Sequence, residues 1–435
     1  MVYVLNIEGK PLMPTNRHGK VRHLLKTGRA KVVRKEPFTI KLLYDSTEFA
    51  QPLTLGVDTG SGTLATAVCT DRGEILYLSE VEVRNDITNK MKQRASYRRT
   101  RRNRKTRYRK PRFLNRKNSI KKDRFSPTMR SKFHSHIREI EFIKSVLPID
   151  TLVFETGTFD PHLMKNPNMN RHWGYQKGPN YGFENTKAMV LNRDNYICQN
   201  CHNKKKQKKD KMEVHHIIYK SKGGSDESDN LITLCSTCHY NVHHKNLKLN
   251  LKGKLKGCLK YATQMNSIRI QLLKHYPEAI ETFGFITKAN RQSSNLPKEH
   301  YIDAAVIASS GKPILFKTTI ILFKKSVARG DYKRTKGIRS EISIPKAKIN
   351  GFKKFDKVQY KNKIYFIKGR YTTGYAILMN IKGEKQIFTN PKIPKMSNIT
   401  RISARKSTLT YTKPLNSSLK LWYYLIGNIS FIYIK

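Results

Sequence analysis

Two CxxC pairs, Cys198/Cys201 and Cys235/Cys238, constrain this chain more than any other feature. The 33 residues between them suit closure of one tetrahedral site. The expected ion is a structural Zn²⁺. Four thiolates leave no open coordination position, so chemistry must come from residues around the knuckles. Cys69 and Cys258 stand alone. The start, MVYVLNIEGKPLMP, lacks the basic and then apolar run of a secretion signal. The cysteines therefore read as metal ligands in a reducing, cytoplasmic setting, not as a disulfide framework.

Charge narrows the partner. The 435 residues carry 86 Lys+Arg against 31 Asp+Glu, a net +55 that repels itself unless a polyanion neutralises it. Nucleic acid is the expected partner, acidic membrane the weaker one, and small-metabolite enzymology is nearly excluded. Aromatic residues at 10% allow real cores, and the length suggests about three domains. The most apolar stretch, Leu421 to Ile434, is too short to span a membrane and reads as a β-hairpin around Gly427-Asn428.

Between the knuckles, KMEVHHII is an expected strand ending in His215-His216. A glycine loop, Asp229-Asn230, LITL and a helix carrying His239 follow. Taken alone, these residues also fit a zinc-ribbon binding module with satisfied or exposed histidines. Their order, HH…DN…CxxCH, resembles the HNH (ββα-metal) nuclease family across the whole of 185–245. The resemblance implies that His216 is the general base, that His215 and His239 hold one Mg²⁺, and that Asn230 holds the loop and orients the base. The KKKQKK loop (Lys204 to Lys209) is either a backbone contact or a solvated loop.

Three acids stand out elsewhere. LTLGVDTG is a buried strand ending in Asp58, and TLVFET is another ending in Glu155. HYIDAAVIASS is a helix with His300 and Asp303 on one face at i, i+3. By itself GVDTGS is a phosphate-binding turn or an ordinary strand end. Together, three convergent carboxylates and a histidine can hold two Mg²⁺ about 3.5–4 Å apart and hydrolyse phosphodiesters. Residues 90–124 then place 18 Lys/Arg and one acid, Asp123, among 35 positions. Such a run is a solvated face or a phosphate grip. Its arginine bias and the interleaved Tyr97 and Tyr108 favour the grip.

This order of strand-Asp, arginine segment, strand-Glu, HNH module and HxxD helix resembles the IscB family of transposon-encoded, RNA-guided nucleases. The PLMP motif (Pro11 to Pro14) and the RRxRR run (Arg98 to Arg102) match it too. The resemblance implies an α/β multi-domain chain. In it an RNase H-like (RuvC) fold is split by an arginine-rich bridge helix and a ββα-metal HNH insertion, and a small β-barrel-like domain ends the chain. The implied boundaries are 1–50 for the PLMP domain, 51–88, 125–165 and 251–312 for the RuvC-like parts, and 89–124 for the bridge helix. A linker takes 166–184, the HNH module 185–250, and the C-terminal domain for guide scaffold and target-adjacent motif 313–435. It also implies two Mg²⁺ at Asp58, Glu155 and Asp303, with His300 assisting, and guide-RNA contacts from Arg94, Arg98, Arg99, Arg101, Arg102, Arg104, Arg107, Arg109 and Arg112. The implied particle is a monomeric ribonucleoprotein of guide RNA and protein that cuts double-stranded DNA away from any membrane. A guide-free HNH nicking or homing endonuclease, and a non-catalytic zinc-ribbon RNA-binding protein, are the alternatives.

Overall fold

A computed structural model describes residues 1–103, 125–165, 175, 177–178, 180–202, 211–245, 247–249, 251, 259–328 and 348–415. The chain divides into two compact units, Met1–Gly157 with Ser267–Lys435, and Thr158–Asn266.

In chain order the first unit opens with β1 (Val2–Leu5), β2 (Pro11–Thr15), α1 (His18–Lys26), β3 (Ala30–Lys35) and β4 (Phe38–Leu42). These strands form a sheet in the order β2-β1-β4-β3. Pro11-Leu12-Met13-Pro14 reads in sequence as a turn, but these residues form edge strand β2, with Val4 opposite Leu12 and Leu5 opposite Pro11. Proline is tolerated there because an edge strand needs hydrogen bonds on one side only. The turn lies earlier, where Asn6 Oδ1 accepts from the Glu8 and Lys10 amides at 3.0 and 2.8 Å and Gly9 adopts φ +92°.

Next come β5 (Leu53–Asp58), β6 (Thr63–Thr70), β7 (Glu74–Glu82), α2 (Ile87–Asn103), α3 (Pro127–Lys144) and β8 (Thr151–Thr156). The second unit interrupts with α4 (Thr186–Arg193), β9 (Met212–His216), β10 (Leu231–Cys235) and α5 (Ser236–His244). After α6 (Leu259–His275), which crosses the boundary, the first unit resumes with β11 (Ile280–Phe283), α7 (Gly284–Ser293) and α8 (His300–Ser309). Residues 262–310, which read in sequence as largely helical, thus contain a strand. It ends with β12 (Leu315–Phe316), β13 (Ile320–Ser326), β14 (Lys357–Tyr360), β15 (Lys363–Arg370), β16 (Ala376–Met379), β17 (Thr400–Ser403) and β18 (Thr408–Pro414).

The main sheet runs β11-β8-β5-β6-β7-β13-β18. The antiparallel meander β5-β6-β7 forms its centre. β8 joins β5 in parallel, and the register sets Asp58 directly beside Glu155. α8 is apolar almost all round, with Tyr301, Ile302 and Ala304 to Ala308 buried, as expected of a helix laid on a sheet. It can approach because β5 carries Gly56. An added Cβ there would sit 2.4 Å from the Ala308 amide nitrogen and 2.6 Å from the Ala304 carbonyl oxygen. A buried ion pair ties α3 to β13: Lys324 Nζ lies 2.6 Å from Glu139 Oε1 and 2.7 Å from the Tyr77 hydroxyl, and the Ser79 hydroxyl donates to the same Glu139 oxygen at 2.7 Å. The donors satisfy charges that would otherwise be costly to bury.

The C-terminal region corrects an expectation. No closed barrel forms among the described residues. β16-β15-β14-β17 make an open four-stranded sheet over Val358, Ile367 and Leu378, while β13 and β18 extend the main sheet. Alternating short strands encode hairpins, but four of them cannot wrap into a closed cylinder. Arg104, Arg107, Arg109, Arg112, the KKKQKK loop and the 421–434 hairpin lie outside the described residues. Among the described residues no helix is long and apolar enough to cross a membrane.

Gly56→Ala should overpack the α8 contact and cost about 1–3 kcal/mol or more. Gly62→Ala, whose new Cβ would meet nothing within 4 Å, should be close to neutral. Thermal unfolding of the two variants checks this. Equal midpoints would show that α8 does not depend on the close approach.

Candidate functional site

The second unit builds its site on a hairpin followed at once by a helix. β9 pairs β10 with His215 opposite Ile232 and His216 opposite Leu231, so successive side chains point to opposite faces. His215 is buried and His216 half-buried. The chain passes from β10 into α5 at Cys235, whose Sγ accepts from the Cys238 amide at 3.4 Å.

Cys198, Cys201, Cys235 and Cys238 bring their sulfurs within 4.8 Å of one another. Four Zn–S bonds of about 2.3 Å in a tetrahedron place sulfurs about 3.8 Å apart. Cys201 Sγ and Cys235 Sγ are 3.9 Å apart. Burial would raise the Cys198 thiol. Amide N–H groups of Cys201, Cys235 and Asn200 turned to its sulfur outweigh that and bring it down to about 7. The Asn200 amide donates to Cys238 Sγ at 3.4 Å. Sulfurs that gather this closely and accept such bonds are prepared for a thiophilic cation, and the cluster could hold zinc.

Against this hairpin lies a second group. His215 and His239, the two expected ligands, are joined by His243, and their donor nitrogens also fall within 4.8 Å. His239 and His243 share one face of α5 at i, i+4. That spacing is the sequence signal for a third ligand, which the HH…DN…CxxCH order leaves out. Burial and the neighbouring His239 and His243 hold His215 down to about 4, so it is neutral and a competent ligand near pH 7. Glu213 Oε2 lies 2.6 Å from His239 Nδ1, which leaves Nε2 as the ligand nitrogen. Tyr219 stacks on His243 and meets His215 edge-on, walling one side of a cleft that His216, Lys220 and Ser221 also line.

His216 Nε2 lies 2.9 Å from Asp226 Oδ1, which also receives Lys220 Nζ at 2.7 Å. Asn230 is fully buried. Its Oδ1 accepts from the Ile218 amide at 2.9 Å, and its Nδ2 donates to the Ile218 and Ser225 carbonyls at 2.9 and 2.8 Å. The loop between His216 and Asp226 is therefore pinned from inside. Gly224 packs so closely under Ile218 that any Cβ there would overlap its carbonyl.

In the first unit, His300 Nδ1 lies 2.8 Å from Asp58 Oδ2, and the Thr59 hydroxyl donates to the Glu155 carbonyl at 2.6 Å. Arg291 Nε lies 2.8 Å from Asp303 Oδ1 as an ion pair without hydrogen-bond alignment. Asp58, Glu155 and Asp303 lie near enough to disturb one another, but do not draw their oxygens within 4.8 Å as the two groups above do. Burial, then the charges of Asp58 and Asp303, push Glu155 up to about 7. Burial, then Asp58, raises Asp303. His300 is lifted to about 8 by its bond to Asp58. Glu80 on β7, which the sequence reading passed over, is raised by burial and feels His300, Glu299 and Asp58. Glu155 Oε2 and Asp303 Oδ1 are buried without hydrogen-bond partners. Mutually repelling carboxylates, with Glu155 Oε2 unbonded and Asp303 Oδ1 held only by an ion pair, fit a divalent cation.

Of the expected arginines, Arg94, Arg98 and Arg99 are exposed on α2, and the backbone of Arg101 and Arg102 continues that helix.

Two stretches of the chain match known protein families. Residues 2–178 match the RRXRR protein family, and residues 197–245 match HNH endonuclease. The chain is 39% identical over 67 residues to the type IV methyl-directed restriction enzyme EcoKMcrA of Escherichia coli strain K12, covering 14% of this chain and 24% of that one. It is 34% identical over 76 residues to Anaredoxin of Nostoc sp., 18% of this chain and 93% of that one. It is 51% identical over 41 residues to the probable mobile endonuclease C of Enterobacteria phage T4, 9% and 20% of the two. The chain thus spans about a quarter of the restriction enzyme and a fifth of the phage protein. It carries an HNH endonuclease domain over residues 197–245. An RRXRR region ahead of an HNH domain matches the IscB-like architecture.

Two outcomes follow from the geometry. Cys235→Ser should lower bound zinc, measured by elemental analysis, from one per chain toward zero; unchanged zinc would place it elsewhere. The second outcome concerns pH. Glu155 has its folded value raised, so its burial costs stability progressively as pH rises from the ordinary 4.5 through about 7. The stability that His300 gains is complete below its ordinary 6.5 and lost as pH climbs through about 8. Both act in one direction. In metal-free protein, Glu155→Gln should gain thermal stability relative to wild type between pH 5 and 8. A pH-independent difference would contradict the assigned burial.

Proposed function

We propose that this protein is an RNA-guided endonuclease of double-stranded DNA, in which each unit cuts one strand. The carrying observation is that one chain holds two separate constellations suited to phosphodiester hydrolysis. These are His215, His239 and His243 beside His216, and Asp58, Glu155 and Asp303 beside His300. A single-site nicking enzyme needs only the first.

In the HNH unit, His216 takes the proton from the water that attacks phosphorus, and the bond to the leaving 3′ oxygen breaks as the new P–O bond forms. A divalent cation at His215, His239 and His243, when bound, supplies positive charge for that leaving oxygen. Asp226 steadies the His216 ring, Asn230 fixes the loop beneath it, and Glu213 orients His239. This unit is assigned the guide-paired strand.

The central β5-β6-β7 meander with parallel β8 and β11 at its side supports reading the first unit as RuvC-like. Its acids are assigned two Mg²⁺ at Asp58, Glu155 and Asp303, and the displaced strand. His300 orients Asp58 and exchanges protons at the mouth of the site. Arg291 balances Asp303 in the absence of that charge. The arginines of α2, and those that follow it in sequence, are assigned the guide-RNA backbone, where planar guanidinium forks grip phosphates and sequence is left to base pairing. The C-terminal sheet is assigned the guide scaffold and the target-adjacent motif. A guide-free nicking enzyme draws support from the phage and restriction relatives, but their matches cover small parts of this chain.

With copurified guide RNA and a matching duplex, His216→Ala should slow the nick in the guide-paired strand by roughly 10²- to 10⁴-fold. Asp58→Ala should do the same to the displaced strand. Strand-specific end labelling on denaturing gels reads both. One substitution abolishing both nicks, or cleavage that survives RNase treatment, would overturn the reading.

A further inference from the structure

Beside the acids of the first unit stands an aromatic pair that its core does not use. Phe283 ends β11 and Phe285 lies in the first turn of α7. Their rings are 6° from parallel with centroids 6.1 Å apart. Phe285 is 72% exposed and Phe283 38%, and Ile286 beside them is 39% exposed. Large apolar side chains grouped in solvent mark a surface awaiting a partner.

Position and charge say which partner. The two rings bracket Gly284, where an added Cβ would lie 3.1 Å from Glu155 Oε1. In the strand register, Thr282 is the partner of Glu155 and Phe283 the partner of Thr156. The rings therefore stand one or two residues from a carboxylate of the site. Residues 282–298 contain Lys288, Arg291 and Lys298 and no acid. Lys288 is exposed on the same helix as Phe285. A ligand for this surface must be anionic along its length, offer flat apolar faces, and reach Glu155. Single-stranded nucleic acid has all three properties, whereas a duplex keeps its base faces stacked inside.

We propose that Phe283 and Phe285 form a base-stacking platform that holds the single strand of DNA at the Asp58–Glu155 site. The identity of that strand as the displaced one rests on the function proposed above. Stacking on an aromatic ring tolerates any base, as a guided enzyme requires, and its loss lowers binding by roughly 5- to 150-fold per base.

The test uses the full chain with its guide RNA, inactivated by Asp58→Ala and His216→Ala, on targets carrying 2-aminopurine at successive positions of the displaced strand. Stacking quenches this fluorophore. One or two adjacent positions should be quenched on binding, Phe285→Ala should restore their emission, and Phe285→Trp should keep the quench. In the cutting enzyme, Phe285→Ala should slow the displaced-strand nick by roughly 5- to 150-fold relative to the other nick in the same reaction. Uniform emission along the strand, or a quench indifferent to Phe285→Ala, would overturn the platform. A different result would overturn only the strand assignment: Asp58→Ala leaving both nicks intact. A free single-stranded 2-aminopurine oligonucleotide then decides the platform. A Phe285-dependent quench supports it, and none sinks it.

Discussion

The first unit depends on one close approach, that of α8 to β5 at Gly56. A helix normally rides well above a sheet on its side chains. Here the missing Cβ of Gly56 and the small residues Ala304 and Ala308 let the backbones nearly touch. That contact fixes the height of α8 over the strand, and so the height of His300 and Asp303 over Asp58. Parallel pairing of β5 with β8 then supplies Glu155 at the same level. Backbone packing thus assembles side chains that repel one another, and a helix that stood higher would relax the repulsion and lose the site.

The second unit solves a different problem. It is too small to order a loop through a large core, and among the described residues its buried apolar side chains are few. Four sulfurs at one end and one buried asparagine at the other do the ordering. Cys235 belongs to the sulfur cluster and also caps the helix that carries His239 and His243. Closing the cluster therefore sets the direction of α5 and, through it, the imidazole group. Sulfur and imidazole groups share a helix, yet their ligand chemistry keeps them apart, thiolate against neutral imidazole.

What could be read in advance follows physical lines. The cysteine spacing and the His215-His216 doublet on a strand are legible because ligand geometry tolerates few spacings. Asp58 and Glu155 are legible because a carboxylate ending an apolar strand is costly without purpose. His243 is also encoded, at i, i+4 from His239, and attention to the CxxCH order hides it. Glu213, Asp226, Glu80 and Arg291 carry no such pattern. Each acquires its role only when folding brings it beside a partner remote in the chain or across a loop. The PLMP strand and the open C-terminal sheet show the complementary limit. Proline reads as a turn unless the edge of a sheet is known to be there, and alternation reports faces without reporting closure.

The bond between Asp58 and His300 spans 242 positions of the chain, with the whole second unit inserted between its ends. Ribosomes deliver a chain from its N-terminus and domains fold as they emerge. The second unit is thus finished while α8 is still unmade, and the groove over Gly56 stays uncovered until the helix arrives. Biosynthesis itself orders the two sites in time. A chain released early would hold one folded unit and only the bare strands of the other, with Asp58 and Glu155 present but no helix above them.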